Sequence, residues 1–138
     1  MSIEFKDNTA EVTAAIGSAV STFLHEAGSL LRSQTSDNSR VDTGQTRGSY
    51  EYKVTSDGNT GTVYVGSNYE NAIWEEYGTG EYAVNGDGRK DAWVYKSSKD
   101  GKFYRTTGKK PNKPLTRAFN SSESKIKARL ETILKENL

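Results

Sequence analysis

Apolar residues recur at steps of three and four along Val12, Ile16, Val20, Phe23, Leu24, Ala27, Leu30 and Leu31, with polar side chains between them. A single stripe on that period predicts an amphipathic helix from about Thr9 to Arg32. Asp7 or Asn8 can cap its start, and Glu11 suits the positive end of its dipole. The polar run from Ser33 to Arg40 carries no such stripe and reads as a loop that ends the helix. The pattern then alternates. Tyr50, Tyr52 and Val54 fall on one face of a strand over Ser49–Val54, and Val63 and Val65 oppose Tyr64 in a second strand over Thr62–Val65. Turn residues from Ser56 to Gly61 join the two as an antiparallel hairpin. A short helix follows from Tyr69 to Tyr77. Its apolar side is Ala72, Ile73, Trp74 and Tyr77, and Trp74 and Tyr77 are expected to anchor it on the sheet, because aromatics bury the largest areas.

Residues 78–91 hold Gly78, Gly80, Gly86 and Gly88, with Val84 the sole large aliphatic. Such a stretch buries too little to offset its ordering entropy and reads as a long exposed loop, mobile until a partner covers it. A second hairpin spans Ala92–Lys96 and Lys102–Thr106 around an Asp100-Gly101 turn. Gly108 to Lys113 is a basic linker. Leu115, Phe119, Ile126, Leu130, Ile133, Leu134 and Leu138 then mark a helix from Pro114 to about Asn137, with proline where a missing N–H costs nothing. The expected fold is one α+β domain over residues 1–138: long N- and C-terminal helices on a largely antiparallel sheet of about four strands, with a short helix after the first hairpin.

Composition narrows the chemistry. The 138 residues include no cysteine and one histidine, His25, which excludes disulfide scaffolds, thiolate sites and histidine-rich metal centres within one chain. No cofactor is called for. No apolar run approaches the roughly 20 residues of a membrane span. The acidic start, MSIEFKDNTAE, lacks a signal-peptide core, so the chain is expected to stay in the cytoplasm where it is made, away from membranes.

The net charge of +1 conceals an asymmetry. Residues 1–88 carry 5 basic and 13 acidic side chains; residues 89–138 carry 14 basic and 5 acidic. Two unlike faces of this kind suit an assembly, a nucleic-acid patch, or a fold in which the halves interleave.

Three motifs invite chemical readings. Asp42-Thr43-Gly44 spells the aspartic-protease triplet, but the chain has one copy and no apolar strand precedes it, so a backbone-bonding turn is the simpler reading. Glu70, Glu75, Glu76 and Glu81 cluster near Trp74 and Tyr77. Two carboxylates can serve glycoside hydrolysis or hold a hard metal, yet Glu75 and Glu76 are neighbours and point about 100° apart on a helix, so a solvated face, with one carboxylate bonded to a nearby backbone, is the default. Lys99, Lys102, Arg105, Lys109, Lys110, Lys113 and Arg117 interleave with Phe103 and Tyr104. A small nucleic-acid-binding protein using the 96–117 hairpin is therefore an alternative function.

The order of motifs resembles the neck and tail-completion proteins of long-tailed bacteriophages. Val41-Asp-Thr-Gly-Gln-Thr-Arg-Gly-Ser49 follows the long helix as the family's DTG, turn and strand do. Val65-Gly66 and then Ala72-Ile-Trp-Glu-Glu-Tyr-Gly-Thr79 are similar to its pattern of VG, then YA, three residues, Glu, an aromatic and GT, which falls here on Glu76, Tyr77, Gly78 and Thr79, with Asn71 where the family commonly has the aromatic before the alanine. Pro114-Leu-Thr-Arg-Ala-Phe119 is similar to its entry to the last helix, without the phenylalanine that follows proline there. Asp42, Thr43, Gly44, Trp74, Glu76, Tyr77, Gly78, Thr79, Pro114 and Leu115 are the structural motif residues on this resemblance. It implies a non-enzymatic virion protein at the head–tail junction: a homo-oligomer such as a hexameric ring, with tail-terminator or tail-tube and head-closure or connector proteins as partners, close to the DNA channel. In such a ring Glu81 and Asp87 of the glycine-rich loop are expected to meet Lys109, Lys110 and Lys113 of the next subunit.

Overall fold

The computed structural model describes residues 9–41, 44–56, 61–97 and 99–137. It is an α+β fold. Helix α1 spans Thr9–Asn38, strands β1 (Tyr50–Ser56) and β2 (Gly61–Ser67) form an antiparallel hairpin, and helix α2 spans Asn71–Tyr77. Strands β3 (Trp93–Lys96) and β4 (Phe103–Thr106) form a second antiparallel hairpin, and helix α3 spans Pro114–Glu136.

The four strands make two separate two-stranded sheets rather than one. Only the first lies on the core. It packs across α1, where the absence of a side chain at Gly28 is required: a Cβ there would run into the Tyr52 ring and Val63. His25 meets the same tyrosine, its Nδ1 3.3 Å from the Tyr52 hydroxyl, at the exposed edge of the helix. Helix α3 packs along α1, not on a sheet. Phe23 and Ala27 meet Ile133 there, with Ala19, Leu24, Ile126 and Leu130 around them. Glu26 and Arg129 bridge the two helices at the surface, 2.9 Å apart.

Helix α1 does not stop at Arg32. It runs on to Asn38 through the polar segment, whose side chains bond back onto the helix itself. Thr35 Oγ1 donates to the Leu31 carbonyl (2.6 Å), Ser39 Oγ to the Thr35 carbonyl (3.0 Å), and Gln34 Nε2 to Asn38 Oδ1 (3.2 Å). The end is then fastened from far along the chain: the Asn38 carbonyl accepts from Asn112 Nδ2 at 2.8 Å and from the Arg117 guanidinium at 2.9 Å. Basic donors suit the carbonyl end of a helix.

The glycine-rich loop is also fastened, along its first half. Thr79 N–H donates to the Lys109 carbonyl (2.9 Å), Lys109 N–H to Thr79 Oγ1 (2.9 Å), and Glu81 N–H to the Thr107 carbonyl (3.0 Å). The two segments approach so closely that a Cβ at Gly80 or Gly108 would strike the opposite backbone, and both glycines have positive φ.

Candidate functional site

Helix α2 is inside out. Its carboxylates are buried, Glu75 1% and Glu76 5% exposed, while Ile73 (60%) and Trp74 (44%) face outward with Tyr77. This corrects the expectation that Trp74 and Tyr77 anchor the helix and that the glutamates form a solvated face. On a helix Glu70, Ile73, Trp74 and Tyr77 lie within about 100° of one another, so the outward face is a single aromatic and aliphatic stripe with one acid on it. The inward face carries Ala72, Glu75 and Glu76.

Glu75 is a hub. Its Oε1 accepts from the Arg40 N–H (3.1 Å), Arg40 Nε (3.1 Å) and Asn112 Nδ2 (2.7 Å), and its Oε2 from Lys109 Nζ (2.5 Å). Its backbone carbonyl accepts from the N–H groups of Asn112 (2.9 Å) and Lys113 (3.3 Å). Burial pushes the carboxyl up, but the Lys109 ammonium, both Arg40 donors and the Asn112 amide outweigh it and hold the pKa at about 2. Glu75 is thus an ionised anchor with its acceptor sites filled, not a proton donor.

Glu76 performs a different task. Oε2 accepts from the Leu115 N–H (2.9 Å), and Oε1 from the Thr116 N–H (3.1 Å) and Thr116 Oγ1 (2.5 Å). These N–H groups belong to the first turn of α3, which no side chain of its own Lys113 caps. A carboxylate from α2 therefore caps α3 in trans, with the charge at the positive end of the helix dipole. Pro114, first in the helix and fully buried, has no N–H to satisfy. Lys113 just before it has φ 53° and is the one non-glycine residue at positive φ among the described residues. Glu76, Gly78, Thr79, Pro114 and Leu115 thus meet in one knot that ties α2, the 107–113 linker and α3 together.

The cationic residues singled out in the sequence are divided among several tasks. Lys109 is spent on Glu75, and Lys110 stands over the Tyr82 ring of its own chain at 5.7 Å. Glu81 accepts from Thr107 Oγ1 (3.2 Å), so part of the acidic loop meets the basic linker within one subunit. Asp87 and the Lys113 side chain are exposed. Asp42 and Thr43 lie outside the described residues. Gly44 has φ 84°, and its carbonyl accepts from Gly48 N–H (2.9 Å), as a turn requires.

Between α2 and the second hairpin lies an open cleft of about 980 Å³, lined by Trp74, Trp93, Tyr95 and Tyr104 together with Arg40 and Lys109. Paired residues of an antiparallel ladder share a face, so Tyr95 and Tyr104 look into the cleft together. Val94 and Arg105, and Phe103 beside them, take the opposite, outer face. Among the described residues no cluster of three acidic or histidine side chains is placed to hold a metal ion, and no helix is long and apolar enough to cross a membrane. No family model, curated protein or solved structure matches the chain.

Proposed function

We propose that this chain is a structural assembly protein that works through protein–protein contacts, and that it serves at the head–tail junction of a tailed bacteriophage or prophage as a neck or tail-completion protein. The observation that carries the binding part is the inverted α2. The fold spends buried charge and a network of hydrogen bonds to hold a helix whose aliphatic and aromatic face is left to solvent. Exposed apolar stripes of this kind, rimmed by polar residues, mark interaction surfaces. The carboxylate pair supports the same reading. Glu75 is pinned and ionised, and Glu76 is consumed in capping α3, so neither is poised for acid–base work. The virion part rests on the ordered motifs of the sequence, whose second and third members are joined by the Glu76 cap.

The test is deletion of the gene from the phage or prophage that carries it. Filled heads and completed tails accumulating unjoined, and joining again when the wild-type chain is supplied, are the expected result. Normal yields of joined particles overturn the proposal.

The exposed cations of the second hairpin, Lys102 and Arg105 beside the exposed Phe103, favour a second reading, nucleic-acid binding through the 96–117 segment. Lys102 and Arg105 are the residues to reverse, because Lys109 is committed to Glu75. Duplex binding that falls steeply with salt and is lost in Lys102→Glu/Arg105→Glu would carry that reading.

A further inference from the structure

The β3–β4 hairpin is an arm. Its strands are four residues each, and among the described residues they pair only with one another and no other helix or strand packs extensively on them. A lone two-stranded hairpin is marginal in water and gains stability from a third strand or a helix against one face. The cleft side has a partial wall in Trp74. The outer face has none among the described residues: Phe103 is 70% exposed and Val94 63%, with Arg105 opposite Val94 in the ladder.

The same molecule carries a surface that fits it. Ile73 and Tyr77 of α2 point away from the cleft, beside Glu70. From Val54 to Gly88 the sequence holds no lysine or arginine, and Glu70, Glu81 and Asp87 are its exposed acids among the described residues. The arm carries Lys96, Lys99, Lys102 and Arg105 against Asp100. Arm against arm would oppose like charges, and α2 against α2 would do the same with acids. Arm against α2 matches both apolar area and charge.

We infer that the β3–β4 arm of one copy docks by its Val94–Phe103 face on the Ile73–Tyr77 face of α2 in a second copy. The occupant of each surface is this chain itself. Because the two patches differ, the contact is head-to-tail and repeats from copy to copy, closing into a ring where the rotation allows. This rests on the assembly reading above and specifies its interface.

The chain has no cysteine, so introduced ones report cleanly. Phe103→Cys and Ile73→Cys chains are mixed and oxidised, and the mass of the wild type is followed against concentration. A disulfide-linked dimer formed in the mixture, well above the yield of either variant alone, is expected. Phe103→Glu is expected to shift the assembled mass to monomer with an unchanged thermal midpoint, since that side chain is mostly in solvent. A wild type that assembles while the mixed cross-link is missing and Phe103→Glu assembles normally overturns this interface and leaves the assembly reading standing. A wild type that stays monomeric throughout, with Phe103→Glu losing only salt-dependent binding to a DNA duplex, overturns both and gives the arm to nucleic acid.

Discussion

Along α1 and α3, Phe23, Ala27 and Ile133 meet through apolar surface, with Leu24, Ile126 and Leu130 filling in. At the head of α3, Glu75 and Glu76 meet Arg40, Lys109, Asn112 and the first N–H groups of the helix through at least seven hydrogen bonds from three separate segments. The seam is held by area, which is non-directional and forgiving of substitutions that keep volume. The knot is held by geometry. Its charges gain little net stability over an apolar replacement, but the buried carboxylates depend on every donor around them, while Arg40 and Lys109 keep nearly half of their side chains in solvent. The seam therefore supplies stability, while the knot fixes how α2 is rolled and so which residues face outward.

The largest effect is expected at the centre of the knot. Glu75→Ala removes the shared acceptor of four hydrogen bonds from Arg40, Lys109 and Asn112 and leaves a hole where a buried side chain stood, and should cost about 3–5 kcal/mol in denaturant unfolding. Glu75→Gln should recover little, because it places an amide among cations. In the seam, Phe23→Ala should cost about 3–4 kcal/mol, yet Phe23→Leu should recover most of it. Equal recovery by both conservative variants would erase the distinction between the regions.

Acid should separate them too. The Glu75 carboxyl is lowered from 4.5 to about 2 in the folded chain, so the folded state binds that proton less readily than the unfolded one. Its contribution is complete above about pH 4.5 and fades as pH falls toward 2, by roughly 3 kcal/mol in all. Stability measured over that range should fall in the wild type, and Glu75→Gln should remove this component. At Glu26 the Arg129 guanidinium also lowers the carboxyl, but that pair lies in solvent and should matter little.

Smaller effects refine the picture. Glu76→Gln keeps one oxygen for Thr116 but sets an NH2 donor against the Leu115 N–H and gives up the charge at the helix end, so a loss of about 2 kcal/mol is expected, with amide exchange rising first at Leu115. Trp74→Ala should cost about 1–2 kcal/mol in the isolated chain, well below a fully buried tryptophan, since 44% of that residue is already in solvent. A loss of several kcal/mol in the monomer would mean that Trp74 is a core residue and that the outward face of α2 has been misjudged.

Local chemistry alone made much of this fold legible. The long apolar stripes of α1 and α3 extend over enough turns for one phase to win, and Asp100-Gly101 and Pro114 sit where a hairpin turn and a helix start need them. Two features were decided elsewhere. The polar end of α1 stays helical because Asn112 and Arg117, more than 70 residues on, bind its last carbonyl. The roll of α2 was not readable from its seven residues, which offer an apolar face and a carboxylate face of similar width. Burying the acids is unfavourable until Arg40, Lys109, Asn112 and the head of α3 converge on them, and no pattern within α2 contains those partners. Hydrophobic periodicity is a property of neighbours along the chain, so the sequence by itself determined the elements and their long apolar faces. The compensation of buried charge belongs to neighbours in space, so the tertiary structure alone decided which side of α2 meets the solvent.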